Sequence, residues 1–364
     1  MGLPACVDLG LSLFPKRGHH HLNYTKQKVK QRVPYSTKST SNSIVAAVTE
    51  DSSESTSTEH PTEADWEPRL EKVPEKYRKK LLNLLMKYRK QFWKSGFLPP
   101  IKNCTYGIKY EGGPFREPMI PLNKEDVAYV NDLFDEQIEE GLCGEITTDT
   151  HRLQYVSNMF LKYEADKKRP CINYRKLNLY TLKTGMPIPS KERLIAMFAG
   201  ADFYICLDCK AAYNQLLVET ASQKYLVFVF PGRNGKRRYV YPTRANFGTS
   251  NMPGEYQRIS TDLFESPNVG VYLDDITIKG MNGNEDQALE ELERVLETAK
   301  EHNVTFSFKK AEMFTPEHKF LGEILSKEGR KPNPDRIKSL KSFPLPKTRK
   351  QLRGFLGLYN FLAP

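Results

Sequence analysis

The sequence has few cysteines and no long apolar run. Its 364 residues include only six cysteines, too few for the disulfide framework of a secreted protein, so we expect a reducing compartment. No apolar stretch approaches the roughly 18 residues that suggest a transmembrane helix, and we expect no membrane contact. The amino terminus lacks a clear signal peptide. We therefore predict a cytoplasmic protein, with a virus-like particle or the nucleus as alternative locations.

Acidic residues are also fewer than basic residues. Lys and Arg number 55 against 44 Asp and Glu, which leaves a formal net charge of +11. A basic excess attracts polyanions, of which nucleic acid is the first to consider. The charge therefore favours a nucleic-acid partner without identifying one.

Composition divides the chain into segments. Residues 1–65 are rich in Ser, Thr and acids and lack a core-forming pattern, so we predict a disordered tail. The run His19–His21 within it could bind metal, but no partner ligands are spaced to close a site, which favours a solvent-exposed run. Residues 66–100 are a predicted helical leader, because apolar side chains recur at helical spacing between Tyr77 and Tyr88.

Helices and strands are both indicated after residue 100. LNKEDVAYVNDLFDEQIEEGL and EDQALEELERVLETAKEHN each carry the apolar stripe of an amphipathic helix. The runs NMFLKYE, FYICLDCK, QKYLVFVF, RRYVYP, VGVYLDDITI, VTFSFK and KFLGEIL are predicted strands, and Asn234-Gly235 is typical of a hairpin turn. KPNPDRIKSLKSF and TRKQLRGFLGLYNFL are predicted helices. The pattern indicates an α+β fold with an antiparallel sheet.

Aspartates interrupt two of the predicted strands. Asp274 and Asp275 lie inside VYLDDITI, and Asp208 lies inside FYICLDCK, although aspartate is unfavourable in strands. Carboxylates held close together repel unless a cation neutralises them, and Mg²⁺ prefers carboxylate oxygens together with substrate phosphates. We therefore predict a shared site for two divalent ions that promotes displacement at phosphorus. The alternative is that these aspartates cap turns on the surface.

Two cysteines flank one of these aspartates. Cys206 and Cys209 form a C-x-x-C around Asp208, a spacing that also occurs in zinc half-sites and redox pairs. No second pair lies at zinc-finger spacing, and we interpret both as small core residues.

Several short blocks stand in a fixed order along the chain. They are RPCINYRKLN, PIPS, L-D-x-x-x-A-Y-x-Q from Leu207 to Gln215, FGTSNMPGEYQR, Y-L-D-D from Tyr272 to Asp275, and FLGEILSKEG. Together they resemble, over about residues 100–364, the reverse transcriptase region of gypsy-type LTR retrotransposon Pol polyproteins. Palm-type RNA polymerases usually carry Gly-Asp-Asp, so Tyr-Leu-Asp-Asp argues against them.

The resemblance implies a fold and an activity. The fold would be a right-hand polymerase, with fingers and palm over 101–330 and a partial thumb or connection over 331–364, truncated before an RNase H domain. The activity would be RNA-directed DNA polymerase, a nucleotidyltransferase that extends a primer 3′-hydroxyl with dNTPs using two Mg²⁺ or Mn²⁺ ions. The implied partners are an RNA or DNA template with its primer, dNTPs, and other parts of a Pol polyprotein.

The resemblance also implies roles for individual residues. The catalytic and metal-binding residues would be Asp208, Asp274 and Asp275. The nucleotide-binding residues would be Lys162, Arg169, Tyr213, Phe247 and Gly248, with Tyr213 as a steric gate against the 2′-hydroxyl. The primer-binding residues would be Tyr272, Phe320, Leu321 and Gly322, with the last three in a β-hairpin that positions the primer 3′ end. Lys310 would assist pyrophosphate departure, and Gln257 and Arg258 would be template contacts or plain surface. The alternatives are a solvated charged loop for Lys162 and Arg169 and an ordinary core tyrosine for Tyr213.

Some positions depart from the family pattern. Asn173 stands where the family usually has Asp, Ala245-Asn246 where it has Met-Pro, Thr249 where it favours Leu, and Met252 where it favours Ala. These departures favour a second hypothesis, a catalytically impaired remnant that only binds nucleic acid. A third hypothesis is an interaction protein that uses the fold as a scaffold.

Overall fold

The computed structural model describes residues 58–164, 167–334, 338 and 343–362. The α-helices of these ranges are α1 Glu63–Trp66, α2 Glu75–Lys87, α3 Lys124–Glu139, α4 Arg175–Tyr180, α5 Lys191–Phe198, α6 Thr220–Gln223, α7 Met252–Phe264, α8 Glu285–His302 and α9 Arg349–Leu362. The strands are β1 Phe92–Trp93, β2 Thr105–Tyr106, β3 Phe115–Arg116, β4 Cys143–Glu145, β5 Tyr155–Glu164, β6 Lys167–Ile172, β7 Phe203–Asp208, β8 Leu217–Val218, β9 Phe228–Pro231, β10 Arg237–Pro242, β11 Val269–Tyr272, β12 Asp275–Gly280, β13 Phe306–Ser307, β14 Glu312–Thr315, β15 His318–Phe320, β16 Glu323–Ser326 and β17 Gly329–Pro332. Among the helices so described, none is long and apolar enough to cross a membrane.

A four-stranded antiparallel sheet forms the centre of the structure. Its order is β11-β12-β7-β14. Alternate side chains of β7 and β12, among them Ile205 and Ile276, are buried in one core with the apolar stripe of α8. This is the two-layer arrangement expected when a sheet buries one face against amphipathic helices.

A six-stranded sheet lies before it in the chain. Its order is β3-β5-β9-β10-β4, and β6 pairs with β5. The predicted helix from Leu122 is confirmed as α3, whose Val130 and Phe134 pack against Phe228 and Phe230. The predicted Asn234-Gly235 turn joins β9 to β10, and Gly235 takes a positive φ of 75° that glycine adopts without strain.

Residues 58–100 pack into the main core. Trp66 is fully buried between Phe92 and Phe308, and α2 lies against α8 through ion pairs such as Lys87–Glu293 at 2.7 Å. Structure is already present before the predicted boundary at residue 65, since Glu59 pairs with Ser95 and Asp65 forms an ion pair with Lys94 at 3.2 Å. Residues 1–57 of the predicted tail, with His19–His21, lie outside the described residues.

Three predicted strands are divided differently in the structure. QKYLVFVF is part helix, because α6 ends at Gln223 and β9 begins only at Phe228. VTFSFK has a two-residue strand followed by a 3-10 turn over Phe308–Lys310. KFLGEIL is a hairpin of β15 and β16, turned at Leu321 and Gly322 with φ of 45° and 84°. An apolar run cannot reveal a turn at a non-glycine residue with positive φ, because such residues are uncommon.

The C-terminal region contains a small sheet and one described helix. Strands β15, β16 and β17 form an antiparallel sheet, and α9 confirms the helix predicted over TRKQLRGFLGLYNFL. Most of the predicted helix KPNPDRIKSLKSF, including residues 335–337 and 339–342, falls outside the described residues.

A buried histidine ties the small sheet to the central one. His318 Nδ1 lies 3.1 Å from Cys206 Sγ of β7, and its Nε2 lies 3.0 Å from Thr277 Oγ1 of β12. Burial lowers the pKa of His318 to about 4, because a charged imidazolium would be poorly solvated there. The ring therefore fastens β15 beneath the central sheet in its neutral form.

We expect the protein to lose stability in mild acid through His318. Its pKa in the folded state lies below the ordinary value, so the stabilisation is present above pH 6.5 and is lost as the pH falls towards 4. Linkage gives a loss of roughly 2 kcal/mol between pH 7 and pH 4.5 from this group. Urea unfolding of wild type and His318→Gln at both pH values measures it. An equal acid-induced loss in both proteins would contradict this role.

Candidate active site

Two of the predicted aspartates are direct neighbours across strands. Asp208 is the last residue of β7, Asp275 the first of β12, and the two are paired in the antiparallel register. Residues paired in this way direct their side chains to the same face of a sheet. The expectation that separate strands bring their aspartates together is confirmed for this pair.

The third aspartate lies in the turn between β11 and β12. Leu273 adopts a positive φ of 52°, which redirects the chain so that Asp274 follows the strand end. The carbonyl oxygen of Asp274 accepts a hydrogen bond from the Cys209 amide at 2.8 Å. The hairpin tip is therefore attached to the end of β7, beside Asp208.

A buried glutamine from α7 holds this turn. Gln257 is 2% exposed; its Nε2 donates to the Val271 carbonyl at 3.1 Å and its Oε1 accepts from the Leu273 amide at 2.7 Å. Template contact or surface was the expectation for Gln257, and it is wrong for this buried side chain. In the sequence, the one signal of this burial was the position of Gln257, within the run YQR, on the inner face of the amphipathic helix α7.

Burial raises the pKa of all three carboxyls above the ordinary value. The pKa of Asp275 reaches about 7, first through burial and then through the charges of Asp274 and Asp208. For Asp208, which is 8% exposed, burial outweighs the ion pair with Lys310 that lowers its pKa. Like charges held together out of water favour the protonated form. The three carboxyls therefore need a cation beside them to stay ionised.

Lys310 supplies the cation that is present in the structure. Its Nζ donates to Asp208 Oδ1 at 2.6 Å. The residue ends the 3-10 turn over Phe308–Lys310, directly before β14 on the other edge of β7. This position agrees with the expectation that Lys310 lies near the chemistry.

The donor set fits a hard divalent cation. Carboxylate oxygens are the ligands that Mg²⁺ and Mn²⁺ prefer, and these three are desolvated and mutually repulsive. Within the described residues, no group of three or more His, Cys, Asp or Glu side chains is already arranged to hold a metal ion. The assignment of Asp208, Asp274 and Asp275 as metal ligands therefore stays a prediction.

Tyr213, Phe247 and Gly248 are brought together beside the aspartates. The rings of Tyr213 and Phe247 lie 4.7 Å apart, with Tyr213 8% exposed and Phe247 62% exposed. Burial raises the pKa of Tyr213 to about 12, with the charge of Asp274 as a further cause. Gly248 has a φ of 106°, and a Cβ there would come within 3.3 Å of Tyr174. These three residues therefore lie together near Asp274 with the phenol neutral, and their assignment to a nucleotide site stays a prediction.

Lys162 and Arg169 face each other on the β5–β6 hairpin. They are paired in its register, and both contact Glu164, with Lys162 Nζ at 3.5 Å and Arg169 Nε at 3.2 Å from its carboxylate. Both side chains are exposed, at 40% and 61%. They can reach a triphosphate only by releasing Glu164, an intervening acid that motif matching did not consider.

The predicted primer residues cluster on the other side of the turn. The rings of Tyr272 and Phe320 lie 6.2 Å apart, but Phe320 is 2% exposed and packs against Phe198. Its ring therefore belongs to the core. The turn at Leu321 and Gly322 is the part that a primer could meet.

Cys206 and Cys209 have separate surroundings. Cys206 contacts His318 as described above, and Cys209 is buried in the core below α7. Burial raises the pKa of both thiols well above the ordinary value. Both are neutral core residues, as predicted.

Residues 160–325 match the family model described as reverse transcriptase (RNA-dependent DNA polymerase). The chain is 27% identical over 304 residues to the retrovirus-related Pol polyprotein from transposon 297 of Drosophila melanogaster, which covers 80% of this chain and 28% of that protein. It is 29% identical over 268 residues to the transposon Tf2-3 polyprotein of Schizosaccharomyces pombe, which covers 72% of this chain and 19% of that protein. The chain thus spans less than a third of either relative.

Solved structures give the fold. A foamy viral protease-reverse transcriptase in complex with an RNA/DNA hybrid superposes with a TM-score of 0.72 at 20% identity, covering 85% of this chain and 41% of that chain. The dRH form of that enzyme with double-stranded DNA gives 0.73 at 21% identity, covering 85% and 54%. This chain has the right-hand polymerase fold. The sequence comparisons thus show similarity to the reverse transcriptase family model and to transposon polyproteins.

We expect Gln257→Leu to destabilise the protein and to lower any activity of the aspartate cluster. The substitution leaves the Leu273 amide and the Val271 carbonyl without their buried partner, which costs about 2–3 kcal/mol. Urea unfolding measures this cost. Arg258→Leu on the same helix is the matched control, because Arg258 is exposed and makes only surface ion pairs. Equal unfolding free energies for the two variants would refute the role of Gln257 in holding the turn between β11 and β12.

Proposed function

We propose that this chain is the polymerase part of a gypsy-type retrotransposon Pol polyprotein and that it extends a primer 3′-hydroxyl with deoxynucleotides on an RNA or DNA template. The observation that carries the proposal is the pairing of Asp208 with Asp275, with Asp274 attached beside them. Carboxylates are assembled out of water in this way where a divalent cation and phosphates neutralise them. The basic net charge suits the polyanionic partner.

Asp208, Asp274 and Asp275 would hold two Mg²⁺ or Mn²⁺ ions. When bound, such ions lower the barrier by stabilising charge on the attacking and leaving oxygens of an in-line displacement. The protein's contribution is positional. β7 and β12 fix two of the carboxylates, and Gln257 fixes the turn that carries the third.

The neighbouring residues would select and orient the nucleotide. Tyr213 forms a buried wall beside Asp274, where a flat ring leaves no room for a 2′-hydroxyl. The open backbone at Gly248 permits close approach, and exposed Phe247 offers a stacking surface. Lys162 and Arg169 would pair with the triphosphate once they release Glu164, because guanidinium and ammonium groups bind phosphate strongly.

The template and primer are inferred from the related structures. The foamy viral enzymes are complexes with an RNA/DNA hybrid and with double-stranded DNA, and we infer the same partners for this chain. Binding should weaken as salt rises, since phosphate contacts release counterions.

A remnant that only binds nucleic acid is the second candidate. Asn246, at a position where the family has proline, is half-buried, and its buried Oδ1 has no hydrogen-bond partner among the described residues. Its Nδ2 donates to Tyr174 Oη at 3.3 Å. The unsatisfied oxygen at this departure from the family pattern is the observation that favours the remnant, and primer extension decides between the two functions.

We expect Mg²⁺- or Mn²⁺-dependent primer extension on an RNA template by the wild type and its loss in Asp274→Asn. The amide keeps the shape of the side chain and removes one metal-neutralising charge. Extension is measured on a denaturing gel, with primer–template binding measured in parallel. A folded wild type that binds primer–template and extends nothing would leave the remnant as the function.

We expect Tyr213→Ala to accept ribonucleotides. Removing the ring opens space for the 2′-hydroxyl, and relief of one such steric contact changes discrimination by about ten-fold or more. The ratio of kcat/KM for a dNTP and its rNTP measures this effect. Phe247→Ala is the comparison, since that exposed ring should affect nucleotide affinity without changing the ratio. An unchanged ratio in Tyr213→Ala would make Tyr213 a core residue only.

A further inference from the structure

One lysine interacts with the entire aspartate cluster. Lys310 Nζ donates to Asp208 Oδ1 at 2.6 Å, and the charge of Lys310 acts on Asp274 and Asp275 as well. Lys210 also acts on Asp208 through its charge, but its Nζ lies 3.7 Å from the centre of the Trp93 ring, and no hydrogen bond or ion pair to the aspartates is found for it among the described residues. Lys310 is thus the ammonium that balances the cluster.

The backbone that carries Lys310 is fixed from a distant part of the chain. Arg69 donates through Nη1 to the Ala311 carbonyl at 2.9 Å and through Nη2 to the Lys309 carbonyl at 3.3 Å. Its guanidinium also lies 4.4 Å from the centre of the Phe308 ring. Since the turn is braced on both sides of residue 310, release of Asp208 is left to the side chain, which is 62% exposed.

Lys310 and a divalent cation would bind the same oxygen, Oδ1 of Asp208. A carboxylate oxygen that accepts a charge-assisted hydrogen bond directs a lone pair and much of its charge at the donor. A cation binding there must remove the ammonium, and the two positive charges would repel if both stayed.

We propose that Lys310 is the resident counter-ion of the aspartate cluster and competes with the divalent cation for Asp208. The lysine keeps the carboxylates assembled before the metal arrives and swings outwards when it binds. This inference rests on the proposed function, because it concerns the same metal site.

The test is Mn²⁺ binding to the full chain without nucleic acid or nucleotide, measured by the electron paramagnetic resonance signal of free Mn²⁺. Lys310→Met keeps the length of the side chain and removes its charge. We expect its Kd for Mn²⁺ to fall about ten-fold, equivalent to about 1.4 kcal/mol. Lys310→Arg should restore a Kd close to that of the wild type, because it restores the charge.

Lys309→Met is the matched control. Lys309 lies on the same turn and is exposed, so its loss changes the net charge equally without affecting the contact with Asp208. Thermal unfolding of each variant verifies the fold. A Kd in Lys310→Met equal to or weaker than that of wild type, or matched by Lys309→Met, would overturn the counter-ion role.

The variant Asp208→Asn distinguishes a failure of the counter-ion role from a failure of the proposed metal site. Mn²⁺ binding that requires Asp208 but is equal in wild type and Lys310→Met would reject competition and keep the metal site. Binding that is unchanged in Asp208→Asn, or absent from every folded variant, would reject the metal site and the counter-ion role together.

Discussion

Repulsion among three carboxylates, of which Asp208 is buried and Asp274 and Asp275 are half-buried, is the constraint on which this structure depends. Asp208 and Asp275 are adjacent across a strand pair, Asp274 is attached beside them, and burial raises the pKa of each. Such a cluster has no value to a stable fold, because aspartate is unfavourable in a strand and costly to bury. Its presence is explained by cations that neutralise it, with Lys310 in that role in the present structure.

The surrounding elements hold the cluster against its own charge. α7 supplies Gln257 to clamp the hairpin, β15 is fastened below through neutral His318, and Arg69 from the leader braces the turn of Lys310. These supports come from segments far apart in the sequence. Residues 58–100, which precede the family match at 160–325, are therefore part of the site's support as well as of the main core.

The sequence pattern alone predicted the structure in two situations. One is where aspartate interrupts an apolar strand, and the other is where the apolar stripe of a helix is long. Aspartates in two apolar runs predicted the cluster, and the stripe of Leu289, Leu292 and Leu296 predicted α8. Contacts set by the tertiary fold could not be predicted. The burial of Gln257 was signalled only by its place on the inner face of α7, which does not reveal its contacts with the β11–β12 turn. Glu164 lies only two residues from Lys162, but the β5–β6 register alone brings it to Arg169. At Leu321 the apolar run alone indicated one strand, since leucine gives no sign of positive φ, and only the family resemblance implied the hairpin.

The most direct test of the central claim is an anomalous difference map of crystals grown with Mn²⁺, primer–template and a non-reactive dNTP analogue. We expect Mn²⁺ peaks beside the carboxylates of Asp208 and Asp274, with Lys310 withdrawn from Asp208. Crystals that contain ordered primer–template and analogue but no peak at these carboxylates, with Lys310 still bound to Asp208, would contradict it.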